Sequence, residues 1–294
     1  MLRPVVVGLD GSRESLAAAD WAAREALLRG LPLRLVHAWQ AWSPEESRLP
    51  ELDAPRFWAR RILRDAMDRI SERHPQVYLS AEQISRPAPE ALISAGAEAE
   101  LLVLGSQAFS GFGGFMAGSV ALATVAHVPR PVILVRADET AEAEHMPDAD
   151  GRPSADGSYR EVVVGVDAAH PCEEMLAFAF ESAALRSTSL LAVHSSHLSS
   201  AYGHVPGTAN GKAEAAHALA SALRPWREKY PAVSVRELVE SGRPAQLLLN
   251  AAADAGLLVV GRRIRPTRLG AQTGPVAHAV MHHVRCPVAI VPHE

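Results

Sequence analysis

The chain of 294 residues contains one long internal repeat. The string VVVGLDGS near its start returns as VVVGVDAA, LRLVHAW returns as LLAVHSS, and PVILV returns as PVAIV near the end. Four pairs of residues match between the copies. Asp10 with Asp167 and His37 with His194 are 157 residues apart, and Gly105 with Gly261 and Gly118 with Gly274 are 156 residues apart. Landmarks that recur in the same order indicate a duplicated domain, so the architecture must be two copies of one fold.

The repeat also sets the domain boundaries. The residues between the copies, 137–158, are rich in Ala, Asp, Glu, Pro and Gly and hold almost no large apolar side chain. Such a segment buries too little apolar surface to offset the entropy that it would lose on ordering. The sequence therefore predicts one domain over 1–136, a flexible linker over 137–158, and a second domain over 159–294.

Each copy alternates short β-branched runs with helical patterns. In the first copy the predicted strands are Val5–Leu9, Leu33–His37, Val77–Ile84, Leu101–Leu104 and Val132–Val135. The predicted helices are Arg13–Arg29, Ala54–Arg73, Ala88–Glu98 and Ser119–His127. This order predicts an α/β fold in which each domain is doubly wound, with a five-stranded parallel sheet and helices on both faces. Ligands of such sheets bind beyond the carboxyl ends of the strands, where the strand order reverses.

The loop after the first strand carries a carboxylate at this edge of the sheet. Asp10 follows the strand directly, and Ser12 stands where a helix cap belongs. One interpretation is that Asp10 accepts hydrogen bonds from a ligand. The other is that Asp10 and Ser12 only shape the turn and cap the helix. The sequence leaves both open.

The loop after the fourth strand, GSQAFSGFGGFMAGSVALA, is rich in glycine. Gly105 opens it, and Gly118 with Ser119 leads into a helix. A glycine-rich loop before a helix N-terminus presents backbone N–H groups and the positive end of the helix dipole, which together favour phosphate. The alternative is an ordinary surface loop followed by a capped helix.

Composition excludes several classes of protein. The net charge of −4 gives no basic excess that would point to nucleic acid. The two cysteines, Cys172 and Cys286, form neither a CxxC pair nor a metal-binding spacing. Two lone thiols are typical of buried apolar positions in a reducing cytosol, so we expect a cytoplasmic protein. No apolar run approaches the 18 residues of a membrane span, and no signal peptide is recognisable.

These motifs together resemble the universal stress protein family. The resemblance rests on VVVGLDGS, LVHAW, PVILV and a pattern after the fourth strand that the family writes as G-x2-G-x9-G-[S/T]. Here Gly105, Ala108 and Gly118-Ser119 fit that pattern, except that Ala108 replaces the second glycine. The resemblance spans nearly all of both copies. It implies ATP binding, with or without Mg²⁺, in a nucleotide-responsive regulatory protein that changes its protein partners under stress.

The resemblance also assigns roles to individual residues. It places Leu9, Asp10 and Ala38 around adenine and Gly105 near the ribose. It places the phosphates against the loop at Gln107 and Ala108 and against the backbone N–H groups of Gly118, Ser119 and Val120. It further implies that the fifth strands, Pro131–Val135 and Pro287–Val291, pair within one chain as an intramolecular pseudo-dimer. Dimerisation of two chains and the identity of protein partners stay open.

The second copy departs further from the family pattern. Asp167, Gly261 and Gly274 are kept, but Ile264 stands where the flexible glycine belongs. Pro275 replaces the serine and so removes a backbone N–H and a hydroxyl from the phosphate site. We therefore expect the second site to bind ATP weakly or not at all.

Two other functions compete with ATP-dependent regulation. One is enzymatic, a slow ATPase or an adenylyl-transfer enzyme, although the sequence shows no evident general base beside the phosphate loop. The other is a scaffold role without any ligand. The sequence predicts no catalytic residue and no protein-bound metal.

Overall fold

A computed structural model describes residues 2–39, 54–108, 115–116, 118–196, 209–264 and 273–294. The chain divides into two compact units, Met1–Thr140 and Ala141–Glu294. Each unit is described by itself below. No helix in the described part of the chain is both long and apolar enough to cross a bilayer.

The first unit alternates strands and helices as the sequence predicts. Its strands are β1 (Val5–Leu9), β2 (Leu33–Trp39), β3 (Leu79–Ser85), β4 (Leu101–Ala108), β5 (Phe115–Met116) and β6 (Val132–Arg136). Its helices are α1 (Arg13–Arg29), α2 (Ala54–Arg73), α3 (Ala88–Glu98) and α4 (Ser119–His127). The parallel strands follow the order β3-β2-β1-β4-β6, and the two-residue β5 pairs antiparallel with β4. The strand order therefore reverses between β1 and β4, which opens a crevice at their carboxyl ends.

The second unit repeats this plan. Its strands are β7 (Val162–Gly165), β8 (Leu190–Ser195), β9 (Val235–Glu240), β10 (Leu257–Arg263) and β11 (Val288–His293). Its helices are α5 (Ala141–Glu144), α6 (Glu173–Leu185), α7 (Ala209–Lys229), α8 (Pro244–Ala251) and α9 (Pro275–His283). The parallel order β9-β8-β7-β10-β11 places the switch point between β7 and β10. The structure thus confirms two tandem doubly wound α/β domains.

The inner strands are buried on both faces, as continuous apolar runs require. All five residues of β1 are buried, and Trp21 of α1 is also buried, with only 1% of its surface exposed. In the second unit Phe180 of α6 is fully buried and packs on the rings of Trp226 and Tyr230, with centroids 6.0 and 5.8 Å away. These cores hold the carboxyl ends of the strands in fixed positions.

The helix limits agree with the sequence where chemical signals mark them. Ser12 caps α1 by accepting a hydrogen bond from the Ser15 N–H at 3.1 Å. Gly30 ends the same helix in the left-handed conformation, at φ 63°. The strands differ more from the prediction. In particular β4 continues to Ala108, whereas the sequence suggested that a loop begins at Gly105.

The segment predicted to be a flexible linker contains ordered structure that belongs to the second unit. It holds α5, and His145 forms an isolated β-bridge with Tyr159, with their rings 4.0 Å apart. The Arg160 N–H also donates to the Glu144 carbonyl at 2.8 Å. Composition understated this order because main-chain pairing and one ring contact, rather than large apolar side chains, hold the segment. The intramolecular pairing of the fifth strands stays a prediction.

An ion-pair cluster joins α1 to the end of α2. The Asp20 carboxylate contacts Arg73 at 2.8 Å, Arg24 at 3.2 Å and the Nε2 atom of His74 at 3.2 Å. Burial raises the pKa of Asp20, but the His74 hydrogen bond and the arginine charges outweigh it and lower the pKa to about 2. The folded state therefore favours the ionised carboxylate.

We expect Asp20→Asn to lower the free energy of unfolding by about 2 kcal/mol at pH 7, because a pKa near 2 against 3.8 represents that much stabilisation. The pKa is depressed on folding, so this contribution is present above pH 4 and is lost as pH falls toward 2. Urea denaturation of both proteins at several pH values checks it. A difference that does not narrow in acid would contradict this account of the cluster.

Candidate functional site

The turn after β1 is built around Asp10. Gly11 adopts φ 85°, a conformation that favours glycine, and this brings Ser12 back toward Asp10. The Asp10 Oδ1 atom accepts from the Ser12 N–H at 2.9 Å and from the Ser12 hydroxyl at 2.5 Å. Burial alone raises the pKa of Asp10, but the hydrogen bonds from Ser12 and Ser15 outweigh it and lower the pKa. Asp10 therefore shapes the turn and stays ionised at neutral pH.

The end of β2 lies beside this turn. The Nδ1 atom of His37 is 2.6 Å from the Leu9 carbonyl oxygen and so joins the carboxyl ends of β1 and β2. Ala38 follows and lines the same crevice. Its small side chain leaves room beside the Asp10 turn for a flat apolar group.

The N-terminus of α4 closes the other side of the crevice. Gly118 is the N-cap, with φ −58° and ψ 160°, and no side chain caps the helix. The intrahelical bonds begin with the Leu122 N–H donating to the Gly118 carbonyl. The N–H groups of Ser119, Val120 and Ala121 precede that bond and so have no acceptor within the helix. These groups and the helix dipole point to an anion.

These elements enclose a cavity of about 250 Å³. The residues that the sequence proposed for the site and that line it are Leu9, Asp10, Ala38, Gly105, Gly118, Ser119 and Val120. Gln107 and Ala108 lie at the end of β4, where their backbones pair with Met116 and Phe115. The side chains of Gln107 and Ala108 fall outside the described residues. The structure thus gathers seven of the nine proposed positions of the first copy around one cavity.

Gly105 is part of a strand and is needed for packing. A Cβ atom added there would lie 2.6 Å from the Glu14 carbonyl carbon and 2.7 Å from the Ser15 nitrogen. The first turn of α1 therefore sits directly on β4 at this point. Glycine at 105 lets the helix approach, which the sequence interpretation of a loop glycine missed.

Sequence reasoning also missed side chains from two helices. Glu14 and Ser15 of α1 line the cavity, as do Ala88 and Leu92 of α3. Glu14 comes four residues after Asp10, in the first turn of α1, so a second acidic residue lines the cavity, on a helix rather than in a loop. The spacing of four residues was the available signal, but it is meaningful only once a helix is known to begin at the turn.

The second unit has a corresponding cavity of about 540 Å³. Asp167, Gly261 and Gly274 all line it, as the repeat predicts. Asp167 accepts from the Ala169 N–H at 3.1 Å, and the Nδ1 atom of His194 is 2.9 Å from the Val166 carbonyl oxygen. Both units therefore share the N–H contact from two residues beyond the Asp and the histidine contact to the carbonyl before it, but the second turn lacks the left-handed glycine and the serine hydroxyl of the first.

Helix α6, the counterpart of α1, begins later than the repeat predicts. Its cap is Cys172, whose sulfur accepts from the Met175 N–H at 3.3 Å, whereas the 157-residue offset would place the cap at Ala169. Pro171 explains the shift, because a residue that precedes proline avoids the helical region. Burial, with smaller effects of Glu174, raises the pKa of Cys172 to about 11, so its thiol stays protonated.

Helices α4 and α9, which follow the fourth strands of the two domains, begin with similar backbone angles but with different residues. Gly274 has φ −66° and ψ 162°, close to the angles of Gly118, and α9 likewise lacks a side-chain cap. Pro275 takes the first helical position, where its ring is well accommodated. The second site therefore keeps the shape of the anion-binding end while it lacks one of the amide donors.

The chain is therefore a tandem α/β protein with two doubly wound domains, and each domain has a cavity at the point where its strand order reverses. A model of the universal stress protein family matches residues 1–136 and 158–292, and the chain belongs to this family. Universal stress protein Rv2005c of Mycobacterium tuberculosis is 33% identical over 304 residues, which cover 97% of this chain and 96% of the relative.

Solved structures agree with this fold. A universal stress protein from Archaeoglobus fulgidus covers 99% of this chain and 98% of its own, at a TM-score of 0.69 and 16% identity. A universal stress protein solved in complex with cAMP matches 46% of this chain and 98% of its own, at a TM-score of 0.37 and 25% identity. The first of these likenesses shows the fold.

Proposed function

We propose that this protein is a nucleotide-responsive regulatory protein whose first domain binds ATP. The observation that carries the proposal is one cavity that joins three features. These are an ionised carboxylate, an apolar slot at the strand ends and a helix N-terminus with open amide donors. Each feature suits a different part of a nucleotide, and all three line the same cavity.

The base end of the cavity is the slot between β1, β2 and α3. Leu9, Ala38 and Leu92 give it apolar walls, and adenine is a flat ring that such walls can sandwich. Asp10 stands at its edge with Oδ1 engaged by Ser12. Ser15 also hydrogen-bonds the carboxyl group, and together these contacts keep Asp10 ionised at the edge of the slot.

The phosphate end is the start of α4. A Cβ atom added at Gly118 would meet nothing within 4 Å, and its φ of −58° suits any residue. Neither packing nor backbone conformation therefore requires glycine at this position. Open space in front of amide donors is what a phosphate group needs to come into contact with the backbone.

A magnesium ion fits the same arrangement. Mg²⁺ binds through nucleotide phosphates with one or two protein carboxylates, and Asp10 and Glu14 are the carboxylates that line the cavity. When bound, the ion would neutralise phosphate charge. The role of this chain's residues is to hold and orient the nucleotide, and its bound and free states would then present different surfaces to protein partners.

We expect ATP to raise the melting temperature of the protein. A ligand at a hundred times its Kd stabilises the native state by about 2.7 kcal/mol, which corresponds to a shift of several degrees. Differential scanning fluorimetry with ATP, adenosine and inorganic triphosphate measures this effect and separates the base contribution from the phosphate contribution. Mass spectrometry of any co-purified nucleotide, quantified per chain, identifies the ligand carried from the cell.

The outcome also decides between competing functions. An unchanged melting temperature with ATP, at concentrations up to several millimolar, would support a scaffold role without nucleotide. A shift produced equally by triphosphate alone would point to a general anion site. A shift that needs both adenosine and phosphates in one molecule supports the proposal.

A further inference from the structure

We propose that two histidines of α9, His278 and His282, bind a divalent nickel or copper ion at the surface of the second domain. Neither residue lines the cavity of that domain, so the inference does not depend on nucleotide binding. Imidazole is a good ligand of both metals, and two histidines four residues apart on a helix can hold one ion. The evidence is the distance between the two rings, their exposure, and a comparison with the first domain.

The two rings already lie at the separation that a shared ion requires. Their centroids are 4.5 Å apart, and the ring planes are inclined by 50°. An ion about 2 Å from a ring nitrogen lies about 3.2 Å from the centre of that ring, so two rings that bind one ion at about a right angle have centres roughly 4.5 Å apart. Ligands at right angles are typical of tetragonal Cu²⁺ and Ni²⁺, whereas tetrahedral Zn²⁺ would place the rings further apart. The observed separation therefore favours copper or nickel.

The helix presents both side chains on one accessible face. Residues four apart lie above one another on adjacent turns. His278 is exposed and His282 is partly exposed, whereas Ala277, Val280 and Met281 are buried on the other side of the helix. An ion can therefore reach the pair from solvent. In the described part of the chain no third His, Cys, Asp or Glu forms a metal-binding group with this pair, so water would complete the coordination of the ion.

The repeat shows that both positions differ together from the first domain. At the offset of 156, His278 and His282 correspond to Leu122 and Ala126 of α4. The two helices have nine residues each and begin at equivalent positions. The same structural element therefore carries two aliphatic side chains in one copy and two neighbouring imidazoles in the other.

The helix dipole offers a competing explanation for histidines on this helix. Cationic side chains are favoured in the last turn, where His282 and His283 lie. His278 belongs to the first half of the helix, where the dipole does not favour a positive charge. Two cationic side chains four residues apart would also repel each other. An ion bound by both rings explains the pair, because imidazoles bind metals in the neutral form.

The test uses the untagged full chain in buffer without nucleotide. Calorimetric titration with Ni²⁺ should show one ion bound per chain, and the EPR spectrum of the Cu²⁺-loaded protein should show two nitrogen ligands. His278→Ala and His282→Gln should each lower the Ni²⁺ affinity about tenfold to a hundredfold, because the second ligand of a rigid pair acts at a high effective concentration. The matched controls His283→Ala and His127→Ala, at exposed positions near the ends of α9 and α4, should leave the affinity unchanged.

The possible results decide the inference. Ni²⁺ affinity that survives His278→Ala, or that falls as much in His283→Ala, would overturn it. Tighter binding of Zn²⁺ than of Ni²⁺ would overturn the assignment of the metal. The side chain of His278 is exposed, so His278→Ala should melt within about 2 °C of the wild type without metal, and its loss of affinity then reports on the ion. ATP binding, or its failure, leaves these measurements unchanged, so the inference and the proposed function stand or fall separately.

Discussion

Replacing Ser119 by proline is expected to weaken ATP binding to the first domain by about ten- to a hundredfold. The substitution removes one backbone N–H and one hydroxyl from the start of α4, and a charge-assisted hydrogen bond is worth roughly 1.5–3 kcal/mol. The fold should tolerate the change, because the second domain already carries Gly274-Pro275 with nearly the same backbone angles as Gly118-Ser119. The effect is therefore on the ligand and not on the helix.

Two measurements test this expectation. Calorimetry gives the ATP affinity of the variant, and scanning fluorimetry without nucleotide should give a melting temperature within about 2 °C of the wild type. Ser119→Ala is the control, since it removes the hydroxyl and keeps the amide, and it should cost less than Ser119→Pro. Wild-type ATP affinity in Ser119→Pro would show that the amides of α4 do not hold the phosphates.

Much of the fold could be predicted because its signals are local. Ser12 and Gly30 mark the ends of α1, and the observed helix Arg13–Arg29 has the predicted limits. The same is true of Ala54–Arg73, which ends before Pro75. The repeat then transfers the plan to the second half without separate evidence. Caps, prolines and β-branched runs act through nearest neighbours, so they are visible in sequence.

The features that the sequence did not show depend on contacts between distant segments. β4 continues through Gly105 because β6 pairs with Gly105 and Ser106, and β5 pairs with Gln107 and Ala108. β6 lies about thirty residues further along the chain, so this pairing is not visible in the local sequence. Pro171 could have predicted the delayed start of α6. Its effect on the cavity could not be predicted, because in the first domain the corresponding helical turn covers Gly105 only through a tertiary contact. His293 is separated from Gly261 by 32 residues, and only the sheet register brings them together.

The candidate site likewise contains some residues that the sequence predicted and others that it did not. Asp10, Gly118 and Ser119 were recognisable because they follow strands, and a doubly wound sheet gathers strand ends at one edge. Glu14, Ala88 and Leu92 come from helix faces, whose orientation follows from packing. Asp10 both forms the turn, through Oδ1, and lines the cavity, so its structural role and its proposed ligand role are compatible.

Gly105→Ala is expected to be the most destabilising single substitution near the site, at about 3 kcal/mol, or about 10 °C in melting temperature. The backbone of Gly105 does not have positive φ, so alanine is conformationally acceptable there. The cost is steric: the new methyl group would lie 2.6–2.8 Å from backbone atoms of Glu14 and Ser15. Backbone atoms of a packed helix cannot rotate aside, so α1 must shift away from β4.

Two glycine substitutions provide matched controls. At Gly261 the added methyl group would meet the ring of His293, a side chain that can rotate, so we expect Gly261→Ala to cost much less than Gly105→Ala. At Gly118 it would meet nothing, and Gly118→Ala should keep or slightly raise stability because alanine restricts the unfolded chain. Thermal unfolding of all three variants without nucleotide ranks them. If Gly105→Ala proves as stable as Gly118→Ala, α1 does not rest on β4 as described.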